Sequence, residues 1–310
     1  MIYGGVSAVL YTVTNICLRS ATHLDPVWVS AVKAWPTVWM VAPILYFRWR
    51  EGGRVFANRR EVAWLVLTAV VVQIFGNVAF QWALGIIGLA ITVPLVLGTM
   101  LVAGALFGKA MLGEPVTGRK WLAVALLIAA TAAISYGAHG QAAFVVGRTV
   151  STWLVVVALA AAIASGFAYA LLGTMMRRAM QRGMSLASTL FIFSFLGAVM
   201  LTSWAWATIG TSGILATGWR DWVVMLAAGV FNATAFLLMA KSLQQIPVLV
   251  VQMLNASQAA LAAVAGWFWF AEPVNGWVAC GLLLTAAGFL VAGIRPQRTP
   301  PIAAAEPVTT

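Results

Sequence analysis

Asparagine and glutamine recur inside the most apolar stretches of this chain, at spacings that set them on one side of one helix. Gln73, Asn77 and Gln81 follow at four-residue intervals, as do Ser7, Tyr11 and Asn15, and Gln252 stands three residues before Asn255. Intervals of three and four bring side chains onto one helical stripe. Amides in such stripes bind and position. An amide left unpaired in hydrocarbon costs roughly 2–7 kcal/mol. These stripes must therefore pair with one another or line a wet cavity, which points to a solute path through a membrane. Hydrogen bonding between helices alone would explain one amide, but not three stacked in one segment with Asn15, Asn232, Gln252 and Asn255 elsewhere.

Three further side chains belong to the same candidate site. Tyr11 and Tyr169 lie near the middle of their apolar segments and could flank a planar solute, or could simply pack between helices. Lys33 lies six residues into the second apolar segment. Its simpler reading is an ammonium snorkelling to the outer interface; its sharper one is a cation that meets a substrate carboxylate.

Bond-breaking chemistry finds no such support. The seven acidic residues are Asp25, Glu51, Glu61, Glu114, Asp221, Glu272 and Glu306, all in connections, at helix ends or in the tail. His23 and His139 fall in or beside external loops. No carboxylate pair, metal cluster or Ser/His/Asp set can be assembled within the membrane, so the chain reads as a non-enzyme with no cofactor and no metal. The missing mid-membrane acid also argues against proton-driven export and for facilitated diffusion. Glu114 and Glu272 each precede a proline at a helix start, where capping a turn is the simpler role, stabilised by about 0.3–1 kcal/mol through the helix dipole.

The elements that hold these residues follow from composition. The chain has 310 residues, 63% hydrophobic and 8% charged, room for about ten spans of ~20 residues. Apolar runs between charged or Gly/Pro breaks fall near 3–19, 27–47, 62–84, 87–108, 119–137, 152–175, 185–208, 221–241, 246–270 and 274–294. Pro26, Pro115, Pro247 and Pro273 stand near helix starts, where a missing N–H is harmless. Pro36, Pro43 and Pro94 lie deeper and should kink their helices. Trp28, Trp64, Trp121, Trp219 and Trp277 sit near span ends, as interface anchors do. Gly104 and Gly108 form a small-xxx-small pair suited to close helix contact. Cys17 and Cys280 lack metal-ligand neighbours and read as lone thiols, not a disulfide.

The net charge of +11 would suggest nucleic acid in a soluble protein. Here the basic residues crowd segment ends and set orientation instead. Arg48, Arg50, Arg54, Arg59 and Arg60 share one side with Lys109, Arg119 and Lys120. Arg177, Arg178, Arg182, Lys241, Arg295 and Arg298 fall on that side too. Only Arg19, Arg148 and Arg220 fall on the other, so both termini are expected in the cytoplasm. The tail beyond 294 is rich in proline and small residues and is expected to be disordered.

The two halves match at an offset of 158. Ser7, Tyr11, Arg19 and Ser30 correspond to Ser165, Tyr169, Arg177 and Ser188, and Glu114-Pro115-Val116 with Gly118 corresponds to Glu272-Pro273-Val274 with Gly276. Asn77 and Asn232 correspond at 155. Five spans per half is an odd number, so the second half enters the membrane from the opposite face. Inverted repeats of this kind are a transporter architecture with the solute site near the midplane.

On the ten spans, the five-plus-five duplication and the Glu-Pro pairs closing spans four and nine, the chain resembles the drug/metabolite transporter superfamily. The likeness is to its EamA-type ten-span exporters, and it covers residues 1 to about 294. Within them it looks most like the bacterial aromatic amino-acid exporters. The resemblance implies a central cavity lined by spans 1, 3, 4, 6, 8 and 9 that opens alternately to either side.

The sequence thus leads to an all-α membrane protein with two inverted five-helix repeats, 1–145 and 146–294, and a cytoplasmic tail, 295–310. The expected function is export of small neutral or zwitterionic metabolites, aromatic amino acids first, by alternating access as a uniporter in the inner membrane. Its expected partners are a small-molecule substrate and the lipid bilayer, with no nucleic acid, as a monomer or weak dimer. The alternatives are export of another solute such as a nucleoside or sugar derivative, and a membrane-embedded enzyme. A phosphorylated solute would need several cavity cations, and Lys33 alone is available.

Overall fold

The computed structural model describes residues 2–52, 59–137, 151–270 and 276–292. Among these residues the regular structure is helical throughout. The helices are α1 (Ile2–Ser20), α2 (Pro26–Arg50), α3 (Arg59–Val71), α4 (Ala79–Ile87), α5 (Leu89–Leu112) and α6 (Gly118–Gly137) in the first half. The second half holds α7 (Thr152–Gln181), α8 (Leu186–Leu215), α9 (Trp219–Gln245), α10 (Val248–Asn255), α11 (Ser257–Phe270) and α12 (Gly276–Ala292). A π-helical turn, Val72–Val78, joins α3 to α4. The expected disordered tail, Glu272, Pro273 and His139 lie outside the described residues.

Among the described residues six stretches are long and apolar enough to cross a membrane: Arg59–Ile87, Ile91–Leu112, Thr152–Gln181, Leu186–Leu215, Trp219–Gln245 and Val248–Phe270, with shorter apolar stretches at Trp121–Ala130 and Ala279–Gly288. The surface matches. Leu283 and Leu290 are more than 70% exposed, and Phe47, Leu67, Trp206 and Trp267 stand outward with them. Asn15, Lys33, Gln73, Gln252 and Asn255 are buried. A protein whose outside is apolar and whose inside carries charge and amides is built for lipid.

Local sequence explains where helices begin and end. Asp25 caps α2, its carboxylate accepting the Trp28 N–H at 2.9 Å ahead of Pro26. Ser151 and Ser185 cap α7 and α8 in the same way. Helix α5 closes at Gly113, whose φ of 66° is left-handed. The Gly113 N–H donates to the Lys109 carbonyl at 3.2 Å, the five-to-one bond of an αL turn, and the Glu114 N–H reaches back to the Gly108 carbonyl at 3.1 Å. That turn fixes where the Glu114 carboxylate goes. Pro36 and Pro43 lie inside α2, and Pro94 inside α5, as the sequence leads one to expect.

The helices of the two halves pack on one another. Helix α1 packs on α9, while α3, the π turn and α4 pack on α7; α2 packs on α8 and α6 on α12. Helix α5 lies along α7, and α10 with α11 lie along α1. Ser7 and Ser165, matched in the sequence, act alike. Ser7 Oγ donates to the Ala235 carbonyl at 2.9 Å, and Ser165 Oγ to the Phe75 carbonyl at 2.8 Å. Each hydroxyl ties its helix to the one it packs on.

Trp28 corrects one expectation. It is buried, its Nε1–H donates to Thr217 Oγ1 at 3.1 Å, and its ring meets Trp222 edge-on with centroids 5.3 Å apart. It knits α2 to α9 and is no interface anchor, because the adjoining turns give its ring an apolar neighbour and its N–H a partner. Trp64, Trp121, Trp219 and Trp277 stand exposed at helix ends.

Candidate functional site

Polar side chains from both halves of the chain converge on one internal cavity of about 130 Å³. A single buried water needs roughly 10–15 Å³ on the same measure, so the space suits a small solute. Of the residues singled out from the sequence, Tyr11, Asn15, Lys33, Gln73, Asn77, Tyr169, Asn232, Gln252 and Asn255 all line it. Gln81 does not.

Asn77 sits at the centre of the polar wall. Its Oδ1 accepts two hydrogen bonds, from Lys33 Nζ at 2.8 Å and from the Tyr169 hydroxyl at 3.1 Å. Its Nδ2 donates to Gln73 Oε1 at 2.6 Å, and Gln73 Nε2 continues to the Phe193 carbonyl at 3.5 Å. The amide orientations follow from this network. Lys33 comes from α2, Asn77 and Gln73 from the π turn, Tyr169 from α7 and Phe193 from α8. π-Helical turns inside α-helices gather at functional sites. This one carries both amides, and its Gly76 leaves room for the Tyr169 ring, whose Cε1 would lie 3.1 Å from an added methyl.

The opposite wall is built by α1, α10 and α11. Asn15 Nδ2 donates to Gln258 Oε1 at 3.5 Å. Gln252 is brought in by Gly104, where a side chain would meet the Gln252 Cγ at 3.0 Å. Gln252 Oε1 and Asn255 Oδ1 are buried with no hydrogen-bond partner among the described residues. These two acceptors border the cavity, and such groups cost about 1–3 kcal/mol each until something donates to them. Asn232 makes no side-chain hydrogen bond among the described residues. Tyr11 holds only a long contact from its hydroxyl to Met239 Sδ at 3.9 Å.

Apolar surface completes the enclosure. Phe80 meets Tyr169 edge-on at 6.4 Å between centroids, and Phe193 meets Phe236 at 5.4 Å. All four rings line the cavity. Few aimed polar groups in an aromatic enclosure form the usual design of a small-molecule site.

Two expectations change here. Lys33 does not snorkel: only 6% of it is exposed, and its ammonium points into the cavity. Ser30, Lys33, Ala34 and Thr37 line the cavity together, at intervals of three and four on one face of α2. That spacing was readable, and it marks the inner face. Gln81 leaves the site because its Nε2 donates to the Leu18 carbonyl at 3.1 Å. That carbonyl, near the end of α1, also accepts the Ala21 N–H at 3.2 Å, and Gln81 adds a second donor to it. Thr14, Ser194 and Gln258 also line the cavity, outside the stripes that the sequence marks. Gln258 was findable, since it follows Asn255 by three.

One end of the bundle is tied by ions. Arg177 Nε stands 2.6 Å from Glu114 Oε1, and its guanidinium also donates to the carbonyls of Leu243 and Ile246. Glu114 Oε2 accepts the Val248 N–H at 2.9 Å. Buried Glu61 accepts from Arg182 at 2.8 Å and from Arg178 at 3.4 Å. Glu114 therefore does more than cap a turn after α5. It joins α5 and α7 to the start of α10.

A chain that is helical throughout its described residues, with a lipid-suited exterior and a polar cavity shared by both halves, is a multi-pass membrane protein. Residues 156–294 carry a match to the EamA-like transporter family. A solved structure titled "Crystal structure of protein" superposes with a TM-score of 0.68, covering 94% of this chain and 95% of that one at 16% sequence identity. At that identity the likeness is one of fold. No curated protein matches the chain.

Proposed function

We propose that the chain is an EamA-type exporter of small zwitterionic metabolites, aromatic amino acids first, working by alternating access as a uniporter. The observation that carries this reading is the shared cavity: α1, α2 and the π turn supply one set of polar groups, and α7, α9 and α10 the other. The match over 156–294 to a transporter family supports it. Five aromatic rings around a polar wall suit a solute with a planar apolar body and a charged head.

The architecture proposed is ten spans in two inverted repeats, 1–145 and 146–294, with both termini in the cytoplasm of an inner-membrane protein. It adds α1, α2 and the shorter α6 and α12 to the six long apolar stretches. The pairing of helices favours it. Exchanging each span with the one five later turns α1 on α9 into α7 on the α3–α4 segment, and leaves α2 on α8 and α6 on α12 unchanged. In this orientation the Arg177–Glu114 and Arg182–Glu61 pairs fall at the cytoplasmic end. Counterflow in proteoliposomes tests the function. Vesicles preloaded with unlabelled phenylalanine, tyrosine or tryptophan should accumulate the labelled amino acid well above protein-free vesicles. Exchange of nucleosides or quaternary amines but of no aromatic amino acid would overturn the reading.

A further inference from the structure

We propose that the cavity selects its solute by a carboxylate and does not require the amine, so that it takes aromatic monocarboxylates with or without an α-amino group and rejects the matching amines. This rests on the cavity being the transport site and narrows what that site accepts.

Charge balance is the first reason. Lys33 brings an ammonium into the cavity, and no acidic side chain lines it among the described residues. Of the described acids, Glu51 stands exposed just beyond the end of α2 and the other four are engaged elsewhere. Glu61 holds Arg182 and Arg178, Glu114 holds Arg177, Asp25 caps α2, and Asp221 stands 3.2 Å from His23 Nε2. A buried charge is stable only when paired and hydrogen-bonded. Asn77 gives Lys33 one neutral acceptor. A solute carboxylate would supply the missing counter-charge.

Geometry is the second. Two donors from different halves of the chain, Lys33 Nζ and the Tyr169 hydroxyl, converge on one oxygen, Asn77 Oδ1. Donors arranged around a single oxygen also suit a carboxylate oxygen, and a charge-assisted bond is about twice as strong as a neutral one. The amine finds a different reception. The acceptors that border the cavity unpartnered, Gln252 Oε1 and Asn255 Oδ1, are neutral amides. They can receive N–H groups but add no negative charge. A solute with an ammonium and no carboxylate would share the cavity with Lys33, which is itself only 6% exposed, and like charges in a poorly screened site repel.

Thermal shift and counterflow competition on the full-length protein, with four solutes of one ring and chain, separate the possibilities. They are phenylalanine, 3-phenylpropionate, phenethylamine and phenylalanine amide. Phenylalanine and 3-phenylpropionate should compete within about tenfold of each other, and the two solutes lacking a carboxylate at least tenfold more weakly. Lys33→Met should weaken both carboxylates at least tenfold and narrow their lead over phenethylamine, while Lys33→Arg keeps the lead. The solute panel on the unaltered protein needs no variant to fold. Phenethylamine competing as well as phenylalanine, or Lys33→Met leaving 3-phenylpropionate unchanged, would overturn the inference with the transport reading intact. Silence from all four solutes would overturn both.

Discussion

Arg177 on α7 and Glu114 in the turn after α5 form an ion pair at 2.6 Å in which neither side chain is more than 12% exposed. The sequence shows these residues as separate halves of two repeated motifs, and the fold brings one from each half together. Their distance along the chain is irrelevant; the left-handed turn at Gly113 places the carboxylate and the long helix α7 places the guanidinium. Around the pair, the carbonyls of Leu243 and Ile246 and the N–H of Val248 are all engaged. One arginine and one glutamate thus satisfy a helix end and a helix start as well as each other.

Breaking that pair should be costly. Glu114→Gln leaves the Arg177 charge buried with its carbonyl partners alone, and removing one member of a buried pair costs about 3–5 kcal/mol. The expected outcome is a clear drop in melting temperature in detergent. Arg177→Met combined with Glu114→Gln should recover part of the loss, with a coupling energy of about 0.5–3 kcal/mol in the double-mutant cycle. Strictly additive losses would show that the two residues stabilise the protein independently.

Asn77 and Asn232 are predicted to behave differently despite their correspondence in sequence. Asn77 is held by Lys33, Tyr169 and Gln73, so Asn77→Leu removes a framework and a contact together. It should lower both the melting temperature and the apparent affinity for solute. Asn232 lines the cavity without a side-chain hydrogen bond among the described residues. Asn232→Leu should leave stability near that of the parent while affinity falls roughly tenfold or more, as loss of a bond to a charged solute group costs about 1.5–3 kcal/mol. Unchanged affinity in Asn232→Leu would remove it from the site.

Most of the cavity was legible because intramembrane amides are expensive and must face something. The stripes on α1, the π turn and α10 obeyed that rule, and nine named residues meet at one space. Two misreadings have physical causes. The distance of Lys33 from the helix start suits snorkelling, but the face of α2 it shares with Ser30 and Thr37 turns it inward. Gln81 keeps the stripe but stands one turn beyond Asn77, level with the end of α1, where the Leu18 carbonyl takes its N–H. The ion pairs could not be read at all. Glu61 and Glu114 sit at segment ends, where solvent is the default partner, and only packing shows that Arg182, Arg178 and Arg177 exclude it.

The proposed orientation places the end of α7 and the end of α8 on opposite sides of the membrane. Gln181 and Thr211 are both exposed at those positions. Single cysteines there, in a chain with Cys17 and Cys280 replaced, should differ in reaction with a membrane-impermeant maleimide on whole cells. Thr211→Cys should label from outside and Gln181→Cys only after lysis. Labelling of both from the same side would require a different number of spans between them.

The last prediction follows from Lys33, the one charged side chain that lines the cavity among the described residues. A zwitterion adds no net charge to a carrier that already holds Lys33, so the loaded and empty forms carry the same charge as they reorient. Phenylalanine exchange and net flux should therefore persist when the pH gradient is collapsed, and should stay unmoved when a potassium diffusion potential is imposed on the vesicles. A carboxylate without an amine behaves otherwise, since each turnover moves one negative charge. A potential of 100 mV is worth about 2.3 kcal/mol per charge, roughly a fiftyfold difference in concentration at equilibrium, at about 1.4 kcal/mol per tenfold. Net flux of 3-phenylpropionate should thus follow the sign of the imposed potential in vesicles where phenylalanine flux ignores it. Measured side by side, potential-driven phenylalanine accumulation, or its loss when the pH gradient is removed, would show that an ion moves with the solute and that uniport is wrong.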